Sequence, residues 1–217
     1  MSVDLLVRPP RQRRRTSKQQ ELLTFEQFFD LIHEDQKADL IKGVMYMQSP
    51  PSTLHELIFG FLFHLLDIFV REKELGIVLG SRAAARLGDH DGPEPDIMFV
   101  AEDRQHIVQA AYVDGAPDLI VEITSPSTAH IDRGKKKKQY AEFGVREYWL
   151  IDPNKQTAEF LINRNGAWES LPITAEGIFL SDVLPGFWLG VDWLFAEPLP
   201  KPLATVMQVL NTVESKA

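Results

Sequence analysis

Read for its apolar positions, the chain alternates between helical and extended stretches. Phe25, Phe28, Phe29 and Ile32 recur at helical spacing behind Thr24, with Gln27 three residues after it, and predict a helix from Thr24 to about His33. Asp39 to Gln48 alternates as a strand that leads into Ser49-Pro-Pro-Ser52. From Leu54 to Arg71, the run Leu57, Ile58, Phe61, Leu62, Leu65, Leu66 and Phe69 predicts a long helix backing a sheet. Gly76 to Leu87, Ile97 to Val100 and Leu119 to Ile123 read as strands. A helix opens at Ser127 or Thr128 and runs to about Phe143, where Gly144 supplies the break. Glu147 to Ile151, Ala158 to Ile162 and a return strand from Trp168, joined by the turn Asn163-Arg-Asn-Gly166, make an antiparallel extension. Leu184-Pro-Gly186 and Trp188 to Phe195 finish the domain. The pattern predicts a single α/β (α+β) domain over residues 21–197, a central mixed β-sheet flanked by helices. A basic arm at 1–20 precedes it, and an extension at 198–217, part loop and part marginal helix, follows.

One position breaks the pattern. Leu119 to Ile123 is apolar on both alternating faces except at Glu122, as in a central strand covered on both sides. A carboxylate there either lies at an exposed strand end or meets a cation, a metal or a hydrogen-bond network, because an isolated buried anion costs several kcal/mol. The helix that follows offers a cation. Lys136 lies four residues before Tyr140 and seven before Phe143, along the apolar stripe, while Lys135 and Lys138 fall with Gln139 and Glu142 on the wet side.

A second carboxylate stands at the mouth of another strand. Glu94-Pro95-Asp96 precedes Ile97-Met-Phe-Val100, after a loop rich in turn-formers. Asp96 and Glu122 on two strands, backed by Lys136 from the next helix, form a candidate divalent-metal site. Carboxylate oxygens are the hard ligands that Mg²⁺ (or Mn²⁺) prefers, and a neighbouring ammonium balances negative charge developing at a phosphodiester. Asp118 has the parity of Ile120 and Glu122 and is a secondary candidate. Asp89-His-Asp-Gly92 lacks the later acidic positions of a calcium loop and reads as a hairpin turn.

Composition narrows the class. The 217 residues, 44% of them hydrophobic, suffice for one well-packed domain. There is no cysteine, so thiolate metal sites and disulfides are excluded, as suits a reducing, cytoplasmic setting. No apolar run reads as long enough to span a bilayer, and no signal peptide follows the first basic residues, so no membrane partner is expected. A net charge of −8 argues against a protein that coats nucleic acid nonspecifically. Residues 1–20 carry +5 of charge, leaving −13 for the remainder; this arm could hold phosphates or simply solvate the terminus. H-E-x-x-H, G-x-S-x-G and Gly-rich phosphate loops are all missing.

Together, Glu94-Pro95-Asp96, Pro117-Asp-Leu-Ile-Val-Glu-Ile-x-Ser-Pro126, Asp132 with Lys136 and Tyr140 at steps of four, and Gly144-Val-x-Glu-Tyr-Trp-Leu-Ile-Asp-Pro153 resemble the Uma-two family of restriction endonucleases, in the PD-(D/E)XK nuclease superfamily. Asp39-Leu-Ile-Lys-Gly43, Ser49-Pro-Pro-Ser-x-x-His55 and Leu184-Pro-Gly-Phe-x-Leu189 extend the likeness over most of the chain. The superfamily's Glu-x-Lys would put lysine at position 124, where this chain has Thr124; in the family the lysine moves to the following helix, which matches Lys136. The resemblance implies a restriction-endonuclease-like core and a Mg²⁺-dependent DNA endonuclease acting as a homodimer. In that reading Asp96 and Glu122 bind metal, Lys136 aids the nucleophile or the transition-state charge, and Tyr140 positions the helix or a phosphate. His55 matches a family histidine, and its place at a helix N-terminus suits either a capping hydrogen bond or a phosphate contact. Glu56 is either the first-helix glutamate that assists the metal or a solvated first-turn Glu favoured by the helix dipole. The alternative is a non-catalytic nucleic-acid-binding or regulatory module on the same fold.

Overall fold

The computed structural model describes residues 22–32, 36–80 and 82–214. The basic arm lies outside them. Twelve strands are described: β1 (Ala38–Ile41), β2 (Val44–Met47), β3 (Gly76–Gly80), β4 (Ala84–Arg86), β5 (Ile97–Ala101), β6 (Tyr112–Asp114), β7 (Leu119–Ile123), β8 (Glu147–Asp152), β9 (Thr157–Arg164), β10 (Ala167–Ser170), β11 (Ile178–Leu180) and β12 (Trp188–Gly190). The helices are α1 (Phe25–Leu31), α2 (Thr53–Glu72), α3 (Ala129–Ile131), α4 (Lys137–Glu142) and α5 (Pro202–Glu214).

Six strands form the central sheet in the order β10-β9-β8-β7-β5-β3. It is mixed: β7 and β8 run parallel, and the other neighbours antiparallel. The parallel pair needs a crossover, and the helical segment from α3 to α4 supplies it. Because alternate strand residues face opposite ways, each face has its own core. Ile97, Phe99, Leu119, Val121, Trp149 and Ile151 pack under Ile58, Phe61, Leu62, Leu65 and Phe69 of α2 and under Val206 and Val209 of α5. Met98, Val100, Ile120, Tyr148 and Leu150 pack with Tyr140 and Val145 on the other side. Asp96 and Glu122 have the parity of this second face. A smaller cluster joins Phe25 and Phe28 to Ala38, Leu40 and Ala84.

The expected elements recur, with revisions that have local causes. The capping box at Thr24 is formed, with Gln27 bonded back to the Thr24 amide. The stretch 39–48 is a hairpin, not one strand: Lys42 and Gly43 take φ of 50° and 75°, as a tight turn demands, and Ile41 pairs with Val44. The stretch 76–87 is likewise two strands, broken where Arg82 takes a φ of 79°. The C-terminal extension holds a regular helix, α5, whose apolar face docks on α2. By length and composition α2 could cross a membrane, contrary to the reading that no stretch is long enough. Its apolar stripe is instead spent on the sheet and α5, and Asp67 and Arg71 pair on its wet side.

Candidate functional site

The site lies where the C-terminal end of β7 meets the N-terminal end of β5. Ile97 pairs with Val121, so in the antiparallel register Asp96 stands one step beyond the last pair, beside Glu122. The Asp96 Oδ2 atom accepts the Ile123 amide at 2.7 Å, which extends the ladder through a side chain and fixes the carboxylate. Asp96 and Glu122 both line a pocket of about 570 Å³, together with Lys37, Gln48, His55, Glu56, Arg82 and Asp132.

Lys136 reaches this point because the helix between β7 and β8 is not uniform. Residues Asp132–Lys136 form one π turn, in which the Lys137 amide reaches back five residues to the Asp132 carbonyl. Such a turn widens the helix and shifts its faces, and it recurs at functional sites. Asp132 and Lys136 both point inward, whereas Lys135 and Lys138 stay exposed. The expectation for Gln139 is corrected by what packs against that flank of the helix. This residue is buried and donates to the Leu40 carbonyl at 3.0 Å and to Asp91 at 2.6 Å, not to water.

The Lys136 ammonium is 0% exposed and sits 2.6 Å from Glu122 Oε1, 3.1 Å from Asp39 Oδ1 and 3.8 Å from Asp132 Oδ1. Burial opposes its charge, but Asp39, Glu122 and Asp132 outweigh that and push its pKa above the usual lysine range. It stays a cation. Burial raises Glu122 as well, to about 8, because the charges of Asp132 and Asp96 offset much of what Lys136 does to lower it. Glu122 Oε1 accepts from both Lys136 and the Tyr140 hydroxyl, the latter at 2.7 Å. Oε2 receives no hydrogen bond from the described residues, and it is the oxygen left to carry a proton or meet a cation. Asp96 is the counterpart. Burial would raise it, but Lys37 at 2.6 Å and His55 at 3.3 Å hold it well below the usual carboxylate range. His55 in turn is raised: burial disfavours its charge, and the hydrogen bond and charge of Asp96 more than restore it.

Of the residues singled out in the sequence, Asp96, Glu122, Lys136, His55 and Glu56 come together. Glu56 is exposed and bonds the His55 ring at 3.2 Å. Tyr140 is fully buried behind Glu122 and faces no open space, so it orients the carboxylate and does not reach a phosphate. Asp118 stands apart at the opposite end of β7, in an ion cluster with Arg104 and Arg146. Sequence reasoning gave no site role to Asp39, Lys37, Asp132 or Glu94. Asp39 accepts from Gln48 at 2.7 Å and from the Glu94 amide at 3.0 Å, and so ties the hairpin to the site. Its signal was present, since it is the one acid in the buried strand Ala38–Ile41. Lys37 carried none, because a lysine just before a strand is ordinarily solvated.

The donor set fits a hard divalent ion. Asp39, Glu94, Asp96, Glu122 and Asp132 are buried together, against Lys37, Lys136, His55 and the pocket-lining Arg82, which leaves the acidic groups one ahead of the basic ones. Burial and the charge of Asp39 raise Glu94 to about 7, a further mark of that excess. Among the described residues no three acidic or histidine side chains form a ready cage. Mg²⁺ does not require one, since it is commonly held by one or two carboxylates and its own waters.

No curated protein matches the chain. A crystal structure described as "a putative nuclease belonging to DUF820", from Anabaena variabilis, superposes with a TM-score of 0.67 at 20% identity, covering 80% of this chain and 97% of that one. At that identity the likeness establishes the fold. The sequence itself matches the model of the Uma2 family, described as "Putative restriction endonuclease", over residues 25–192. That match, over more than half of the chain and all six strands of the central sheet, places the chain in the Uma2 family.

Proposed function

We propose that the protein is a Mg²⁺- or Mn²⁺-dependent endonuclease that hydrolyses phosphodiester bonds in DNA, working as a homodimer in the cytoplasm. The observation that carries this reading is the placement of Asp96 and Glu122 side by side at one pocket with the Lys136 ammonium 2.6 Å from Glu122. The family description supports a DNA substrate.

Asp96 and Glu122 would hold the ion, which when bound supplies Lewis acidity and an activated water. The chain's own residues do the rest. Asp96 enters the site already ionised and is fixed by the Ile123 amide. Glu122, which burial keeps protonated, would have to be ionised to hold the ion, and Tyr140 orients its Oε1. Lys136 remains protonated, so it serves as a fixed cation that balances developing negative charge and not as a general base. The second reading, a binding module without turnover, would be favoured by a Lys136 remote from the carboxylates, and this lysine is in contact with Glu122.

The test is cleavage of supercoiled plasmid and single-stranded DNA with Mg²⁺, Mn²⁺ or EDTA, by wild type, Glu122→Ala and Lys136→Ala. The expected result is metal-dependent cutting lost in both variants. Mutants that cut as well as wild type would sink the assignment.

A further inference from the structure

Asp96 has little room left for a metal ion. Its Oδ2 already accepts two hydrogen bonds, from the Ile123 amide at 2.7 Å and the His55 ring at 3.3 Å. A carboxylate oxygen has two lone pairs in its plane, so Oδ2 is saturated. Oδ1 is the oxygen with capacity, and the Lys37 ammonium lies 2.6 Å from it. Lys37 lines the same pocket, with 18% of its side chain exposed, so the ammonium occupies the approach to the carboxylate.

From this geometry we infer that Lys37 is a resident counter-ion of Asp96 that competes with the divalent cation for Oδ1 and so sets the cation concentration at which the site loads. The inference rests on the reading of Asp96 as a metal ligand. Two cations cannot share one oxygen at contact distance without strong repulsion. Lys37 must therefore swing away for the site to load. It can do so because its side chain reaches the pocket opening, whereas Lys136 is sealed in with three carboxylates around it. The two lysines thus differ in kind: Lys136 is a permanent part of the site, and Lys37 is an exchangeable one.

The test is Mn²⁺ binding to the full chain by isothermal titration calorimetry, with no DNA present. Lys37→Met is expected to lower the Kd about tenfold or more, since one buried positive charge is removed from the binding oxygen. Lys37→Arg, which keeps the charge, is expected to stay near wild type, and Asp96→Asn to abolish the difference between Lys37→Met and its parent. A Lys37→Met protein that is folded by near-ultraviolet circular dichroism and binds Mn²⁺ no more tightly than wild type overturns the inference, as does a wild type and variant that both bind none. Should Lys37→Met fail to fold, the wild type answers on its own through amine acylation read by mass spectrometry. Mn²⁺ is expected to increase labelling of Lys37 severalfold while Lys136 stays unlabelled, and unchanged Lys37 labelling overturns the inference. Tighter Mn²⁺ binding by a protein that cuts no DNA would remove the nuclease reading and leave the role of Lys37 standing.

Discussion

The two ends of β7 carry one buried carboxylate each, and they are built on opposite plans. Asp118, at the N-terminal end, accepts Arg104 at 2.8 Å and Arg146 at 3.3 Å on Oδ1 and the Ala101 amide at 2.9 Å on Oδ2. Two cations answer one anion, both of its oxygens are occupied, and both guanidinium groups reach solvent. Glu122, four residues on, shares Lys136 with Asp39 and Asp132 and leaves Oε2 facing a pocket. Burial is common to both, so burial does not mark a site. The distinction lies in the balance: Asp118 is neutralised from within, and Glu122 sits where anions outnumber cations beside open space.

The largest expected effect is on turnover. Glu122→Gln keeps the shape and removes the charge, and should lower plasmid cleavage by about a thousandfold, the scale of losing one electrostatic contact to the transition state. Asp118→Asn, the same chemical change at the other end of the strand, should leave the rate per folded molecule within about twofold, since the residue lies roughly 13 Å away at 3.3 Å per strand residue. Equal losses from the two substitutions would erase the distinction between the ends.

Stability should show the reverse order. Asp118→Ala strips the Ala101 amide and two guanidinium groups of their acceptor and should cost about 2–3 kcal/mol in urea unfolding, the usual penalty for orphaning buried partners, lessened here because both arginines are partly exposed. Glu122→Gln should cost less, because its site is already overcharged. An Asp118→Ala protein with an unchanged midpoint would mean that the arginines find other acceptors and that this end of the strand is not an anchor.

The pH dependence sharpens the contrast further. Burial raises Glu122 in the fold from 4.5 to about 8, so the native state keeps its proton longer than the unfolded chain does. Its contribution to stability is therefore complete below pH 4.5 and declines as pH rises to about 8. Lys136 is raised from 10.5 and stays protonated throughout that window, so it adds no slope there. With EDTA present, unfolding free energy measured from pH 5 to 8 should fall less steeply in Glu122→Gln than in wild type; parallel curves would place the proton elsewhere in the cluster. Glu94 titrates in both proteins, whereas Asp132 shares Lys136 with Glu122, so the difference between the curves reports that coupled pair.

The sequence made much of this site readable. Lys136 stood out because helical spacing sets it on the apolar stripe, and Glu122 because it interrupts an apolar strand. What could not be read has physical causes. Asp96 and Glu122 were readable as one site, but the register that sets them side by side, Ile97 against Val121, leaves no local trace. Helical spacing puts Gln139 on the wet side, but Leu40 and Asp91, distant in sequence, cover that flank of the helix, and tertiary cover of this kind leaves no periodic trace. Lys37 owes its role wholly to tertiary context. The breaks at Lys42-Gly43 and Arg82 were hidden because alternation continues across a tight turn.

The smallest expected effect concerns Thr124, one residue beyond β7. It is buried, and its hydroxyl finds no hydrogen-bond partner among the described residues. A buried hydroxyl without a partner has lost water and gained nothing, so Thr124→Val, equal in shape and free of that penalty, should stabilise the protein by about 1 kcal/mol. Cleavage should be unchanged, because the hydroxyl is absent from the pocket lining. Urea unfolding of the variant decides the point: a loss of stability would mean that the hydroxyl is satisfied after all, and a loss of cutting with stability intact would make Thr124 part of the working end of the strand.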